Sequence, residues 1–171
     1  MQFHMREVLK GRVVPLRQTL DVSQLLGGRR DVLSAGPLDC RLKASPEEGT
    51  VRVTGELDIR LELACSRCLE PVKEHLRVPF DESFAPADNV KSEEEDEDAP
   101  YVHPVDGDLV ELEPYVYETL LLSIPFVPLC REDCEGLCPE CGTNRNESPC
   151  GCSREKVDPR LEALKGWFDS K

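Results

Sequence analysis

The chain has 171 residues, 39% of them hydrophobic, which suits one modest core with extensions rather than several domains. No stretch approaches the ~18 continuous apolar residues of a membrane span, and the opening MQFHMREVLKGR lacks the apolar run of a secretory signal, so the chain is expected in the cytosol. The formal charge of −13 is uneven: residues 1–60 carry ten basic and eight acidic side chains, 61–129 four and seventeen, and 130–171 seven and nine, which argues against a non-specific clamp on phosphate.

The first legible element is Leu38–Ala44, where Leu38, Cys40, Leu42 and Ala44 alternate with polar neighbours as in a strand with one buried face. Cys40, alone among the cysteines in having no close partner, reads there as a small buried hydrophobe without a function. Ser45-Pro46-Glu47-Glu48-Gly49 has turn chemistry and leads into the strongest periodic signal of the chain. Val51, Val53, Gly55, Leu57, Ile59, Leu61 and Leu63 alternate with polar residues, so a long strand with one buried face is expected. Gly55 interrupts the apolar face and suggests a bulge or a bend. A second alternation, Val72, Glu74, Leu76, Val78 and Phe80, requires residues 64–71 to turn the chain back, which puts Cys65 and Cys68 at a hairpin tip. Residues 1–84 are therefore expected to form an antiparallel meander.

Residues 85–100, APADNVKSEEEDEDAP, are nearly devoid of apolar side chains and carry an acidic run from Glu93 to Asp98. Such a run repels itself and cannot offset the entropy of ordering, so a disordered acidic loop is expected, as a solvated spacer or as a nucleic-acid mimic that meets a basic partner. In residues 101–129, Tyr101–Val105 and Leu109–Leu112 flank Asp106-Gly107, a dipeptide typical of a hairpin turn. Pro114 then opens a helix in which Val116, Tyr117, Leu120, Leu121 and Ile124 recur at helical spacing before Pro125, and this helix is expected to cover the sheet. Residues 130–171 combine a cysteine-rich segment with a terminal helix, capped at Asp158-Pro159 and striped by Leu161, Leu164 and Phe168, that packs back or docks a partner. The predicted class is α+β: an antiparallel, partly barrel-like sheet, a covering helix and a zinc-knuckle C-terminal tail.

Eight of the nine cysteines fall in close pairs: Cys65 and Cys68, Cys130 and Cys134, Cys138 and Cys141, Cys150 and Cys152. In a reducing compartment paired thiols favour metal over disulfides. Cys138-Pro139-Glu140-Cys141-Gly142 has the form of a zinc knuckle, with two thiolates on a tight turn and a glycine that lets the backbone bend behind them. Zinc takes four ligands in a closed tetrahedron, so two zinc ions are expected. The favoured partition joins Cys138, Cys141, Cys150 and Cys152 across eight residues and leaves Cys65, Cys68, Cys130 and Cys134 to close a loop of sixty-one. The competing one puts Cys130, Cys134, Cys138 and Cys141 on one ion and Cys65, Cys68, Cys150 and Cys152 on the other. The longer closure costs only about 2 kcal/mol more, against ~10–16 kcal/mol for a structural zinc site, so loop entropy leaves both open.

A closed four-thiolate site has no open position at which to activate water, His4, His75 and His103 stand apart, and no nucleophile motif is present. The expectation is a protein with no catalytic activity and no small-molecule substrate. The rival is a redox-sensing zinc switch or chaperone, in which oxidation of the cysteine pairs expels the metal. Arg29, Arg30, Arg41, Lys43, Arg52 and Arg60, with Arg12 and Arg17 nearby, could share one face of the meander, although aromatic residues are only 5% and no base-stacking motif appears.

Taken in order, ACSRCLEP (64–71), the acidic middle, LLLSIP (120–125), PLCREDCEGLCPECGTNRN (128–146), CGC (150–152) and DPRLEAL (158–164) resemble the YceD family of large-ribosomal-RNA accumulation proteins over roughly residues 50–165. The resemblance, to a family of bacteria and plastids, implies a factor in the synthesis, processing or accumulation of large-subunit ribosomal RNA, and the opening residues, which do not read as an organelle transit segment, lead us to expect a bacterial member. The expected partner is the pre-ribosomal large subunit, through a ribosomal protein met by the acidic middle and through rRNA met by the basic N-terminal half.

Overall fold

The computed structural model describes residues 1–89 and 101–152. The acidic run from Glu93 to Asp98 and the terminal helix expected over 158–168 lie outside the described residues. In chain order the elements are β1 (Gln2–His4), α1 (Met5–Leu9), β2 (Val14–Leu20), α2 (Ser23–Leu26), β3 (Val32–Ala35), β4 (Leu38–Glu47), β5 (Thr50–Ala64), β6 (Pro71–Pro86), β7 (Val102–Val105), β8 (Leu109–Glu111) and α3 (Glu113–Ser123).

The three strands read from alternation are β4, β5 and β6, and β5 lies at their centre. Val51, Val53, Leu57, Ile59, Leu61 and Leu63 of β5 are all buried, as period-two patterning requires. The β5–β6 ladder runs from Val51↔Phe84 to Ala64↔Pro71 without a register shift. The expected five-residue turn before β5 contracts to Glu48-Gly49, because Ser45, Pro46 and Glu47 stay paired with Arg52, Val51 and Thr50. Its φ values of 42° and 88° are those of a type I′ turn, which matches the strand twist.

Gly55 marks no bulge, since the ladders pass through Leu42↔Gly55 and Gly55↔Phe80 in register. It marks a close approach: a Cβ there would lie 2.1 Å from the Arg41 carbonyl oxygen and 2.8 Å from Leu42 Cα. Pro79 lies opposite Glu56 of β5, and on its other side β7 joins β6 only at Ser83–Pro86, so that edge of the strand is unpaired at the proline.

One edge of β5 serves two partners. β4 pairs with it from Thr50 to Asp58, and β3 takes over at Leu61–Leu63. β2 adds outside β4, which gives the order β2-β4-β5-β6-β7 with β3 on β5. The sheet is open: β2 and β7 stand at its two ends and do not pair, so the expected barrel character stops short of closure.

Three further expectations are corrected. Residues 85 and 86 continue β6, and Ala87–Asn89 form a 3-10 turn, so defined structure extends past the expected loop boundary at residue 85. The sheet is not wholly antiparallel, because β6 and β7 run parallel. Finally, β7 and β8 do not form a hairpin. The chain does turn at Gly107, where φ is 90°, but β8 leaves to pair with β1 through Gln2↔Glu111 and His4↔Leu109. Asp108 holds that exit, with its carbonyl accepting from the Met5 amide at 2.8 Å and its carboxylate from the Arg6 amide at 2.7 Å.

α3 begins at Glu113 with Pro114 in its first turn and gives way to extended backbone at Ile124, before Pro125. Its Val116 and Leu120 are fully buried in the cluster formed by the sheet interior, α1 and α2. Phe84 of β6 is the hub of this packing, with ring centroids 5.0 Å from Tyr115, 5.2 Å from His103 and 6.2 Å from Phe3. Among the described residues no helix is long and apolar enough to cross a membrane.

Candidate metal centre

The β5–β6 connection carries the first cysteine pair. The Leu69 amide donates to the Cys65 carbonyl at 2.9 Å and the Cys65 amide to the Glu70 carbonyl at 2.9 Å, while Leu69 takes a left-handed φ of 65°. These bonds fold the tip so that Cys65 and Cys68 are both buried. The segment after α3 is laid against this tip by backbone bonds from Ser66 N to Pro128 O at 2.8 Å and from Leu137 N to Arg67 O at 2.9 Å. Arg67 also donates from Nη1 to the carbonyls of Cys134 (2.8 Å) and Glu132 (3.2 Å). Gly136 is required at the crossing, because φ there is +75° and a Cβ would stand 2.8 Å from the Arg67 carbonyl oxygen.

Cys65, Cys68, Cys130 and Cys134 thereby meet, with all four Sγ atoms within 4.8 Å of one another. Cys65 and Cys134 stand 3.8 Å apart and Cys68 and Cys130 3.6 Å apart. A tetrahedron with Zn–S of ~2.3 Å has S···S edges of about 3.8 Å, so both the donor set and its dimensions suit zinc. Three of the four thiols are buried under Val72, Leu129 and Leu137, while Cys130 is exposed.

The second cluster is built locally. Leu137 and Asn144 form an antiparallel bridge, the Cys138 amide donates to Thr143 O at 2.9 Å, and the Gly142 amide to Cys138 O at 2.9 Å. Gly142, at φ +73°, permits this turn. The turn directs Cys138 and Cys141 toward Cys150 and Cys152, and these four Sγ atoms also lie within 4.8 Å of one another. Cys138, Cys150 and Cys152 border a cleft of about 300 Å³, and Cys141 is exposed, so this cluster is the more open of the two.

The surroundings polarise the thiols unequally. Burial raises Cys65, but amide donors from Cys68, Cys130 and Arg67 outweigh it and bring its pKa down to about 6. Cys68 is pushed up to about 12, chiefly by burial, with its thiol neighbours adding to the rise. In the second cluster the hydroxyl and amide of Thr143 lower Cys141 to about 6, whereas Cys141 and Cys138 raise Cys152 to about 12. Thiols this close cannot all ionise without mutual repulsion, and a dication at their centre removes that cost.

Of the two partitions left open by the sequence, the structure therefore gathers Cys65, Cys68, Cys130 and Cys134 in one group and Cys138, Cys141, Cys150 and Cys152 in the other. Each group could hold a metal ion. Cys40 stays apart, buried in the main core with its thiol raised to about 11 by burial. His4, His75 and His103 face Asp108, Asp58 and Glu82, at 3.1, 2.9 and 2.8 Å, and belong to neither group.

Two residues that the sequence reading passed over support the clusters: Arg67, described above, and Asn146. Asn146 Oδ1 accepts from Arg131 Nη2 at 2.7 Å and from the Glu135 amide at 2.8 Å, and its Nδ2 donates to Cys134 Sγ at 3.3 Å and Asn144 Oδ1 at 2.8 Å.

The family described as "Large ribosomal RNA subunit accumulation protein YceD" matches residues 53–167. An uncharacterized protein of Mycobacterium tuberculosis is 33% identical over 155 residues, which cover 90% of this chain and 73% of that protein. The uncharacterized protein YlbN of Bacillus subtilis is 26% identical over 149 residues, covering 86% of this chain and 84% of the relative. The chloroplastic "Large ribosomal RNA subunit accumulation protein YCED homolog 1" of Zea mays is 26% identical over 84% of this chain and 59% of its own length. No solved structure matches the chain significantly.

Proposed function

This chain belongs to the YceD family, and from that premise we propose that it is a non-catalytic, cytoplasmic zinc-binding factor that supports the accumulation of large-subunit ribosomal RNA. The observation that carries the zinc assignment is the pair of four-cysteine groups, each with its four Sγ atoms within 4.8 Å of one another. The rRNA assignment rests on the family's description and on the printed name of the maize relative. In each group four cysteines would complete the ion's coordination, leaving no position for a substrate, so the metal's part would be to hold the sheet tip and the C-terminal segment together. The redox-switch alternative gains no particular support from the geometry, which suits a stable staple.

The partner is proposed to be the precursor of the large subunit, met through a ribosomal protein by the acidic middle of the chain and through rRNA by the solvent face of the sheet. On that face Arg17 stands opposite Arg41, and Lys43 lies opposite Pro15. Arg52, by contrast, is taken up by Asp81 and Glu47, Arg29 by Asp31, and Arg12 by Glu7. Glu56 of β5 lies opposite Arg41 on its other side and offsets part of the repulsion between Arg17 and Arg41, and an RNA phosphate between the two would relieve the rest.

Metal analysis of protein purified without a tag that binds metal should find two zinc ions per chain, and capture from cells should recover large-subunit rRNA. Absence of zinc would end the metal assignment, and recovery of unrelated proteins without rRNA would end the ribosomal one. Replacing Arg17, Arg41 and Lys43 together by alanine should weaken rRNA recovery and flatten its salt dependence. Unchanged recovery and salt dependence would restrict the contact to protein.

A further inference from the structure

We propose that Asn146 is a positioning residue that couples the two cysteine groups, so that a metal ion on Cys138, Cys141, Cys150 and Cys152 tightens the hold of Cys65, Cys68, Cys130 and Cys134 on theirs. The inference rests on the metal-binding reading above and goes beyond it, since two closed sites need not communicate.

Asn146 belongs by sequence to one group and by contact to the other. It lies within the loop from Cys141 to Cys150, whose ends are ligands of the second group, yet its side chain reaches Cys134 of the first at 3.3 Å. The orientation of the amide follows from its partners. Oδ1 faces two groups that can only donate, the Arg131 guanidinium and the Glu135 amide, and a flipped amide would set N–H against N–H there. The NH₂ group must therefore face Asn144 Oδ1 and the Cys134 sulfur. An N–H aimed at sulfur favours the thiolate that a metal requires, and such outer contacts typically change metal affinity by about 10–100-fold when removed.

The near end of the loop is held by the Leu137–Asn144 bridge and by the Arg145 amide donating to Gly136 O at 3.0 Å, whereas its far end would be tied down by an ion on Cys150 and Cys152. Releasing Cys150 and Cys152 loosens the far side of the segment that delivers Asn146, so part of the entropy of placing its amide on Cys134 must then be met anew. The first group's affinity falls as a result. Linkage makes the effect reciprocal, so an ion in the first group equally favours binding in the second.

The test measures release of Zn²⁺ from the full-length zinc-loaded protein to a chromophoric chelator. The variants are Asn146→Ala, Asn146→Asp, the pair Cys150→Ser with Cys152→Ser, and the pair combined with Asn146→Asp. Asn146→Asp keeps an oxygen for Arg131 and Glu135 but removes the N–H aimed at sulfur, so it carries the test if Asn146→Ala folds poorly. The expected result is about tenfold faster release of the first group's zinc in Asn146→Asp, a similar acceleration in the double-cysteine variant, and no further acceleration when the two are combined. With Co²⁺ in place of Zn²⁺, Asn146→Asp should also shift the thiolate-to-metal absorption of the first group.

Release at the wild-type rate in Asn146→Asp, or effects of the two changes that multiply as independent ones, would overturn the coupling while leaving two-site zinc binding intact. A wild-type protein that takes up no metal at all would remove both.

Discussion

Arg52 and Asp81 meet across the β5–β6 ladder through two parallel bonds of 2.7 Å, and this pair dictates how one small part of the stability responds to acid. The Arg52 guanidinium holds the Asp81 carboxyl below its usual 3.8. A depressed carboxylate stabilises the fold fully above its unfolded pKa and loses that contribution as pH falls through the folded one. Asp81→Asn should therefore lower stability at pH 7 by about 0.2–1 kcal/mol, as for an exposed pair, with the difference shrinking toward pH 2. Parallel urea titrations at the two pH values check this, and an equal loss at both would assign the effect to packing. Gly55→Ala should cost at least about 1–3 kcal/mol, because its Cβ would meet backbone on β4 that cannot withdraw as a side chain can. At this scale the cysteines were legible from sequence because ligand type and spacing are local properties. Arg67 and Asn146 were not, since each acquires its role from Cys134, 67 residues away from one and 12 from the other.

At the level of elements, long uninterrupted patterns translated directly into structure: β4, β5 and β6 from alternation, α3 from helical spacing between two prolines. β2 escaped notice because Gln18 occupies the position between its buried Leu16 and Leu20, which breaks the period-two signal. β3 has only four residues and depends on β5 for its pairing. The supposed β7–β8 hairpin shows the opposite failure, since a genuine turn at Gly107 says nothing about whether the strands on either side prefer other partners. Leu120 is fully buried where α3 closes the core, so Leu120→Ala should destabilise by about 2–5 kcal/mol in chemical denaturation. A loss below about 1 kcal/mol would mean that the helix is only loosely attached.

For the molecule as a whole, apolar packing and cysteine clustering are divided between separate regions. The main core unites the sheet interior with the helices, whereas Cys65, Cys68 and Cys134 form a distinct buried group with Val72, Leu129 and Leu137. With metal bound as proposed, stripping it should therefore loosen residues 128–152 while the sheet persists. Trypsin should then cut faster at Arg131 and Arg145, with far-UV circular dichroism nearly unchanged. Equally accelerated cleavage at Arg41 and Lys43 within the sheet would show instead that the metal supports the entire fold.

The distance along the chain between the halves of the first cysteine group also sets a clock during translation. Cys68 leaves the ribosome sixty-two residues before Cys130. At ~5–20 residues per second the nascent hairpin tip displays an unmatched thiol pair for roughly 3–12 s before its complement is synthesised. During that interval the pair is open to oxidants and to adventitious ions, and growth under zinc starvation should raise the alkylation of these two thiols on nascent chains.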